Sequence, residues 1–314
     1  MTRRRRTPSA VLVPATALSL ALSLAACGGD PADPVPVSEQ SPTSQPPTAG
    51  QDDPSPTDDP ELTEEPTQEP SPDGTAVPVY FAGDGPGGVP RLFREFQRVS
   101  GDPLTEAARL VAGSGQPVDP DYRTLWPQVE IAAVTATDGA LRVEIGSDAF
   151  TERPDGMSGR DARLALQQLV YTLQGVQQER VPVVIDRGDA PPRLFGLRTG
   201  VEVTARSALR TLNLVNITSP AEGQSVSGDT VRVTGVANSF EASGPCRLLV
   251  GGTEVALEGY QADGWIEDRL FPFEVELPLG DASGEVTVQC ETDDPSGGAE
   301  GDGPSVDTRT IMVG

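Results

Sequence analysis

Residues 28–76 constrain the fold most, because they cannot contribute to a hydrophobic core. They hold 12 acidic residues, no arginine, no aromatic residue and few apolar ones, and they are rich in Pro, Ser and Thr. Such a segment buries too little apolar surface to offset the loss of chain entropy on folding. We therefore expect residues 27–76 to form a disordered acidic stalk, or a plain spacer with the same physical properties. Folded structure is expected from residue 77 onward.

The segment before the stalk has the features of an export signal. Four arginines at positions 3–6 precede an apolar run over residues 10–26, which Pro14 interrupts and which ends in small residues. A membrane-spanning helix needs about 20 apolar residues. The shorter run is typical of a removable signal peptide, here residues 1–26.

Cys27 follows Leu24-Ala25-Ala26 and precedes two glycines, a pattern that resembles a bacterial lipobox. That resemblance implies a diacylglyceryl group on the cysteine thiol, and two acyl chains hold a protein stably at a membrane. We therefore expect Cys27 to be the lipid attachment site and the chain to be anchored to the cell membrane on its extracytoplasmic face. An ordinary signal peptide with a cysteine at this position by chance is the alternative.

The composition excludes several classes of catalytic site. The chain has no histidine, each of its 23 basic residues is arginine, and its formal net charge is -24. These facts exclude histidine bases, Ser-His-Asp triads, histidine-ligated zinc and lysine Schiff bases. The acidic balance also opposes nucleic-acid binding, which depends on neutralising phosphates. We expect no catalytic residue, no cofactor, no metal and no nucleic-acid partner.

Residues 77–213 combine helical and strand patterns, and these predict one α+β domain. The strongest helix signal is residues 158–175, where Ser158 and Asp161 approximate a capping box before an apolar stripe of helical period. A second helix is predicted where Asp102 and Pro103 provide a start signal. The other predicted elements are strands at 77–82 and 181–186, a hairpin over 130–146 that turns at Asp138-Gly139, and a short helix at 204–212.

From residue 214 onward, apolar and polar residues alternate with the period of half-buried strands. Five such runs are separated by Gly, Pro, Asp and Ser, at 230–237, 246–250, 270–277, 285–291 and 308–313. About 100 residues with this spacing predict a β-sandwich over residues 214–314. Cys246 and Cys290 share the parity of the apolar residues on their strands, so both should face the core. Outside the cytoplasm we expect them to form a disulfide, with two buried free thiols as the alternative.

The two predicted domains resemble known modules. Residues 77–82, the Gly101-Asp102-Pro103 helix start, and residues 166–173 followed by 181–186 resemble the GerMN domain, a sporulation and spore-germination module. Residues 217–223, with Trp265 and Phe271-Pro272-Phe273, resemble the immunoglobulin-like domain of bacterial spore germination. The resemblance implies a GerMN-like α+β domain, related in fold to ring-building modules, followed by an all-β immunoglobulin-like sandwich. It implies no catalytic residue, and a fold alone does not establish a function.

Three further clusters have ordinary structural interpretations. Residues 83–88 spell GxGxxG after a strand, but Pro86 removes a donor that a pyrophosphate site needs, so we expect a turn between strands. Residues 293–307 are rich in carboxylates without EF-hand spacing, which predicts a solvated loop, with calcium binding as the alternative. Glu267 and Asp268 are adjacent, and adjacent residues on a strand point to opposite faces, which argues against a glycosidase pair.

Together these features predict a non-enzymatic envelope lipoprotein that acts as a protein-interaction or assembly module of the sporulation and spore-germination type. Its expected partners are envelope or membrane proteins, with self-association as a further option, and the membrane itself through lipidated Cys27. A regulatory lipoprotein that contacts the extracytoplasmic part of a membrane sensor is the first alternative. A carboxylate-dependent wall hydrolase is the second.

Overall fold

The computed structural model describes residues 74–113, 115–137, 139–146, 150–294 and 301–314, and strands predominate in them. The predicted leader, Cys27 and nearly all of the predicted stalk lie outside the described residues. Among the helices that are described, none has the length and apolar character needed to cross a bilayer.

The first domain is built on a long hairpin. β1 (Thr75–Asp84) pairs antiparallel with β2 (Pro90–Val99) over its whole length. The chain reverses through the GxGxxG segment, where Pro86–Gly88 forms a 3-10 turn. The predicted strand-to-strand turn is therefore present. β1 begins before the expected start at residue 77, because the long second strand gives its first residues a partner: Thr75 pairs with Val99.

Two helices pack on this hairpin and on each other, α1 (Pro103–Ala112) and α2 (Gly159–Gln177). α1 begins where the Asp102 carboxylate accepts a hydrogen bond of 2.8 Å from the backbone N–H three residues later. α2 begins with the predicted capping box, in which Asp161 N donates to Ser158 Oγ and Ser158 N donates to Asp161 Oδ2, both at 3.1 Å. These side chains satisfy N–H groups that the first turn of a helix leaves without partners.

A three-stranded sheet and short elements complete this domain. β3 (Ile131–Thr137) and β4 (Ala140–Ile145) form the predicted hairpin, and β5 (Val183–Asp186) runs parallel to β4 after the chain has passed through α2. Gly139 in the hairpin turn has a φ of 74°, which glycine adopts without strain; Asp138 lies outside the described residues. The short elements are β6 (Arg193–Leu194), β7 (Leu197–Arg198) and α3 (Ala208–Thr211).

The second domain is an eight-stranded curled sheet with the strand order β8-β10-β13-β12-β11-β14-β15-β9. The strands are β8 (Val215–Ser219), β9 (Ser225–Val226), β10 (Thr230–Ala237), β11 (Ser243–Val250), β12 (Thr253–Ala262), β13 (Phe271–Pro278), β14 (Gly284–Glu291) and β15 (Val306–Val313). All five predicted strands are present. The sequence pattern does not predict β12, whose apolar residues Val255 and Leu257 are about half exposed.

Cys246 and Cys290 form a disulfide inside the core of the second domain. They lie opposite each other on β11 and β14, with their Cα atoms 4.1 Å apart, and neither is exposed. The inward orientation that their parity predicts is therefore observed, and the bond links residues 44 positions apart.

Candidate functional site

The two domains share a buried polar junction. Asp119 and Tyr122 lie in the connection between α1 and β3, whereas Asp307 and Arg309 lie on β15. Each of the four residues is at most 6% exposed. Side chains alternate between the two faces of a strand, so Asp307 and Arg309 share a face with the core residue Ile311. We call these four residues the junction cluster.

Arg309 is the centre of the junction cluster. Its Nη1 lies 2.5 Å from Asp119 Oδ2 and 3.3 Å from Asp307 Oδ1. The same Nη1 donates a hydrogen bond of 2.7 Å to the Tyr122 hydroxyl, which donates one of 2.5 Å to Asp307 Oδ1. Two carboxylates and one phenol, drawn from both domains, therefore share one guanidinium out of contact with bulk solvent.

Two of these side chains also close the curled sheet. Ile217 N donates to Asp307 Oδ2 at 2.6 Å, and Arg309 Nη2 donates to Ile217 O at 3.1 Å. Ile217 belongs to β8, which ends the strand order on one side, while β15 lies next to the other end. The two side chains thus satisfy the backbone groups of Ile217 on the side of β8 that has no strand partner in the described residues.

Burial determines the electrostatics of the junction cluster. Desolvation raises the pKa of Asp119 to about 7, although Arg309 opposes the rise. Desolvation also raises the pKa of Asp307 and takes the pKa of Tyr122 well above its usual value. For Arg309, desolvation lowers the pKa, but Asp307, Tyr122 and Asp119 outweigh it and raise the pKa. Arg309 therefore stays charged, and Asp119 binds a proton more readily than an exposed carboxylate does.

Two further sets of contacts connect the domains. On β2, Arg94 donates from its backbone N to Asn216 Oδ1 and from Nη2 to Thr218 Oγ1, both at 2.9 Å. The Asp268 carboxylate accepts a hydrogen bond of 2.9 Å from Ser207 Oγ and another of 3.0 Å from a backbone N–H of α3. Together with the junction cluster, these contacts connect the two domains at three places.

Two carboxylates in the clusters singled out from the sequence have structural roles. The expectation of a solvated loop over residues 293–307 is wrong at Asp307, which is buried in the junction cluster. The sequence does contain a signal for this burial, because Asp307 alternates in step with the apolar residue Ile311 on the same strand. Glu267 pairs with Arg269 at 2.9 Å, while Asp268 contacts α3. Within the described part of the chain, no three or more Asp, Glu or Cys residues are grouped so as to hold a metal.

The surface of the second domain, in its described residues, carries a group of exposed apolar side chains. Phe240, Trp265 and Ile266 are 44%, 37% and 83% exposed. The rings of Phe240 and Trp265 meet edge to face with their centroids 5.3 Å apart. We call these three residues the aromatic patch. Exposed apolar groups that lie together are typical of interaction surfaces.

Comparison with known proteins finds a family model similar to each domain. Residues 78–187 match the family described as sporulation and spore germination, and residues 214–299 match the immunoglobulin-like domain of bacterial spore germination. No curated protein matches the chain. One similar solved structure is a crystal structure of an engineered protein, 21% identical, which covers 37% of this chain and 22% of that chain with a TM-score of 0.26. The two family matches thus agree with the resemblance found in the sequence: residues 78–187 are similar to a sporulation and spore-germination domain, and residues 214–299 to an immunoglobulin-like domain of bacterial spore germination.

Proposed function

We propose that this chain is a lipid-anchored, non-enzymatic envelope protein whose two germination-type domains act as one rigid module that docks on another envelope protein. The family matches support a germination-related role. The observation that carries the docking role is the buried junction cluster around Arg309. A fixed orientation of the two domains gives a partner one preformed surface, which lowers the entropic cost of binding.

The aromatic patch is the proposed contact surface. Residues 214–314 contain 18 acidic and four basic residues, so the patch lies on a strongly acidic domain. A complementary partner would present an apolar pocket with a basic rim. Lipid attachment at Cys27 would restrict such a partner to the membrane surface. The proposed partner is therefore an envelope or membrane protein that is exposed at this surface.

In-membrane cross-linking followed by mass spectrometry tests the docking role. We expect one membrane protein to be captured by the wild type and lost on Trp265→Ser or Ile266→Ser. Val201→Ser is the matched control, because Val201 is 56% exposed and lies in the first domain. Equal capture by the patch variants and the wild type would contradict the assignment of the contact surface. A captured sensor protein would favour the regulatory alternative.

Detergent phase partitioning tests the anchor. The wild type should enter the detergent phase, and Cys27→Ser should move to the aqueous phase because it lacks the thiol that carries the acyl chains. A Cys27→Ser chain that stays with the detergent would contradict lipid attachment.

A muropeptide assay tests the non-enzymatic role. That role would be contradicted if the purified protein released muropeptides from cell walls and a change of a single carboxylate abolished the release.

A further inference from the structure

Five arginines line one pocket on the surface of the first domain. Arg91 comes from β2, Arg160 and Arg163 from the start of α2, and Arg206 and Arg210 from the segment around α3. The pocket has a volume of about 310 Å³. Residues 77–314 contain 19 arginines, so more than a quarter of them converge here in a strongly acidic chain. We call these five residues the arginine pocket.

The carboxylates of the described residues do not neutralise the arginine pocket. Among the described residues, none of the five arginines forms a salt bridge, whereas seven other arginines do. Two carboxylates lie near these arginines, Asp161 next to Arg160 in the sequence and Asp268 next to Ser207 in space, and both make their hydrogen bonds elsewhere. Asp161 accepts from the backbone of Ser158, and Asp268 accepts from Ser207. The positive charge is therefore available to a ligand.

Holding these cations together costs stability. Nη1 of Arg163 and Nη1 of Arg153 lie 3.6 Å and 3.4 Å from the point that a Cβ on Gly159 would occupy, so a sixth guanidinium approaches the group. Burial is the main cause that lowers the pKa of Arg91, and the charge of Arg160 lowers it further. Cations are also unfavourable in the first turn of a helix, where Arg160 lies. Local costs without internal compensation are expected at functional sites.

Neighbouring groups hold the arginine pocket in shape. Arg91 Nη1 donates to Leu209 O at 3.3 Å. A Cβ on Gly85 would lie 2.4 Å from Arg91 Cγ, so the glycine gives the side chain of Arg91 room to pass. Gln167 of α2 accepts from Arg206 N at 2.7 Å, which fixes the segment that carries Arg206. The pocket is therefore organised before a ligand arrives.

We propose that the arginine pocket binds a compact, multiply charged phosphate group. The planar guanidinium matches phosphate oxygens with two parallel hydrogen bonds. A phosphate monoester carries a charge of about -1.5 to -2 at neutral pH, whereas one carboxylate would offset a single guanidinium. The small volume favours a compact phosphate over an extended acidic peptide. This inference goes beyond the proposed function and does not depend on it.

Titration calorimetry of the full-length chain with sodium pyrophosphate, at ionic strength held constant with sodium chloride, tests the proposal. We expect one saturable site. Arg160→Gln combined with Arg163→Gln should weaken binding by about tenfold or more, because the variant loses two guanidinium groups that form charge-assisted hydrogen bonds with the phosphate. Arg198→Gln is the matched control, because Arg198 is exposed and lies outside the pocket. A cooperative unfolding transition in urea, with a midpoint no lower than that of the wild type, verifies that each variant is folded.

Further arms separate the possible sources of the phosphate. Vesicle binding is measured in chains that carry Cys27→Ser. A lipid headgroup is the source of the phosphate if the chain binds phosphatidylglycerol vesicles but not phosphatidylcholine vesicles, and if the Arg160→Gln, Arg163→Gln variant loses this binding. Pyrophosphate binding without vesicle binding would assign it to a soluble ligand. Heats that do not saturate, equal affinity in the double variant and the wild type, or binding of oligoglutamate in place of pyrophosphate would each overturn the proposal.

Discussion

Arg309 of the last strand and Asp119 of the first domain form a 2.5 Å ion pair in which the two side chains are only 3% and 2% exposed. The partners are 190 residues apart in the sequence. The net contribution of a buried pair is small, because the cost of desolvating two charges offsets their attraction. Removing one partner is nevertheless costly, because the other charge stays buried without compensation. The pair therefore makes the stability of each domain depend on the other.

Arg309→Met should lower the free energy of unfolding by about 3–5 kcal/mol, because it leaves Asp119 and Asp307 buried without their cation. Urea unfolding followed by circular dichroism measures the loss. Arg232→Met is the matched control, since the side chains of Arg232 and its partner Glu274 are 64% and 48% exposed. An exposed pair contributes about 0–1 kcal/mol. Equal losses in the two variants would contradict a structural role for the junction cluster.

The stability of the wild type should fall as the pH rises from about 4 to about 7, in part because of Asp119. Its folded-state pKa of about 7 lies above the ordinary value of 3.8, since burial disfavours the charged form. Between these values the folded state retains a proton that the unfolded state has released. The stabilisation is thus complete below the ordinary pKa and is lost as the pH passes through the folded-state pKa.

Asp119→Asn isolates this effect, because an amide does not titrate. Urea unfolding of both proteins at a series of pH values should give a steeper decline for the wild type than for the variant. Asp307, whose pKa is also raised, contributes in the same direction in both proteins. Parallel pH profiles would show that Asp119 does not titrate between these pH values in the folded state.

Local signals in the sequence predict the elements of this fold, and long-range contacts explain what they miss. The Asp161–Ser158 capping box and the alternating strands of the sandwich can be recognised because their pattern lies within a few residues. β2 escapes recognition because Glu95 occupies a buried position on it. That carboxylate accepts a hydrogen bond of 3.0 Å from Val118 N, a partner that no local pattern reveals.

The sites depend still more on distant residues. The junction cluster joins the connection after α1 to the last strand, and only the parity of Asp307 and Arg309 with Ile311 indicates that the two charges are buried. The arginine pocket combines three separate elements. Its arginines carry no distinctive spacing, so the sequence reveals their number but not their convergence.

Replacing both cysteines, Cys246→Ala with Cys290→Ala, should lower the free energy of unfolding by about 2–5 kcal/mol, because the unfolded chain is no longer constrained by the cross-link. Urea unfolding with and without dithiothreitol measures the effect. Under fully reducing conditions the wild type should approach the stability of the double variant. The double variant is the control for the reductant, because it has no disulfide to reduce. A wild type insensitive to complete reduction would contradict a stabilising role for the disulfide.

Asp268→Ala should lower the free energy of unfolding by about 1 kcal/mol at neutral pH, because the carboxylate satisfies an N–H group at the start of α3 and bonds Ser207 of the first domain. Its hydrogen bond from the Leu209 backbone N–H is the main cause that lowers the pKa of Asp268. The stabilisation is therefore present above the ordinary pKa of 3.8 and is lost as the pH falls through the lower folded-state pKa. In urea unfolding, the difference in unfolding free energy between wild type and variant should shrink with acidification.

Glu267→Ala is the adjacent control for Asp268→Ala, since the side chains of the Glu267–Arg269 pair are more than half exposed and the pair should contribute little to stability. If both variants lost the same amount, or if the Asp268→Ala deficit persisted in acid, the connection between the domains at α3 would not depend on this carboxylate.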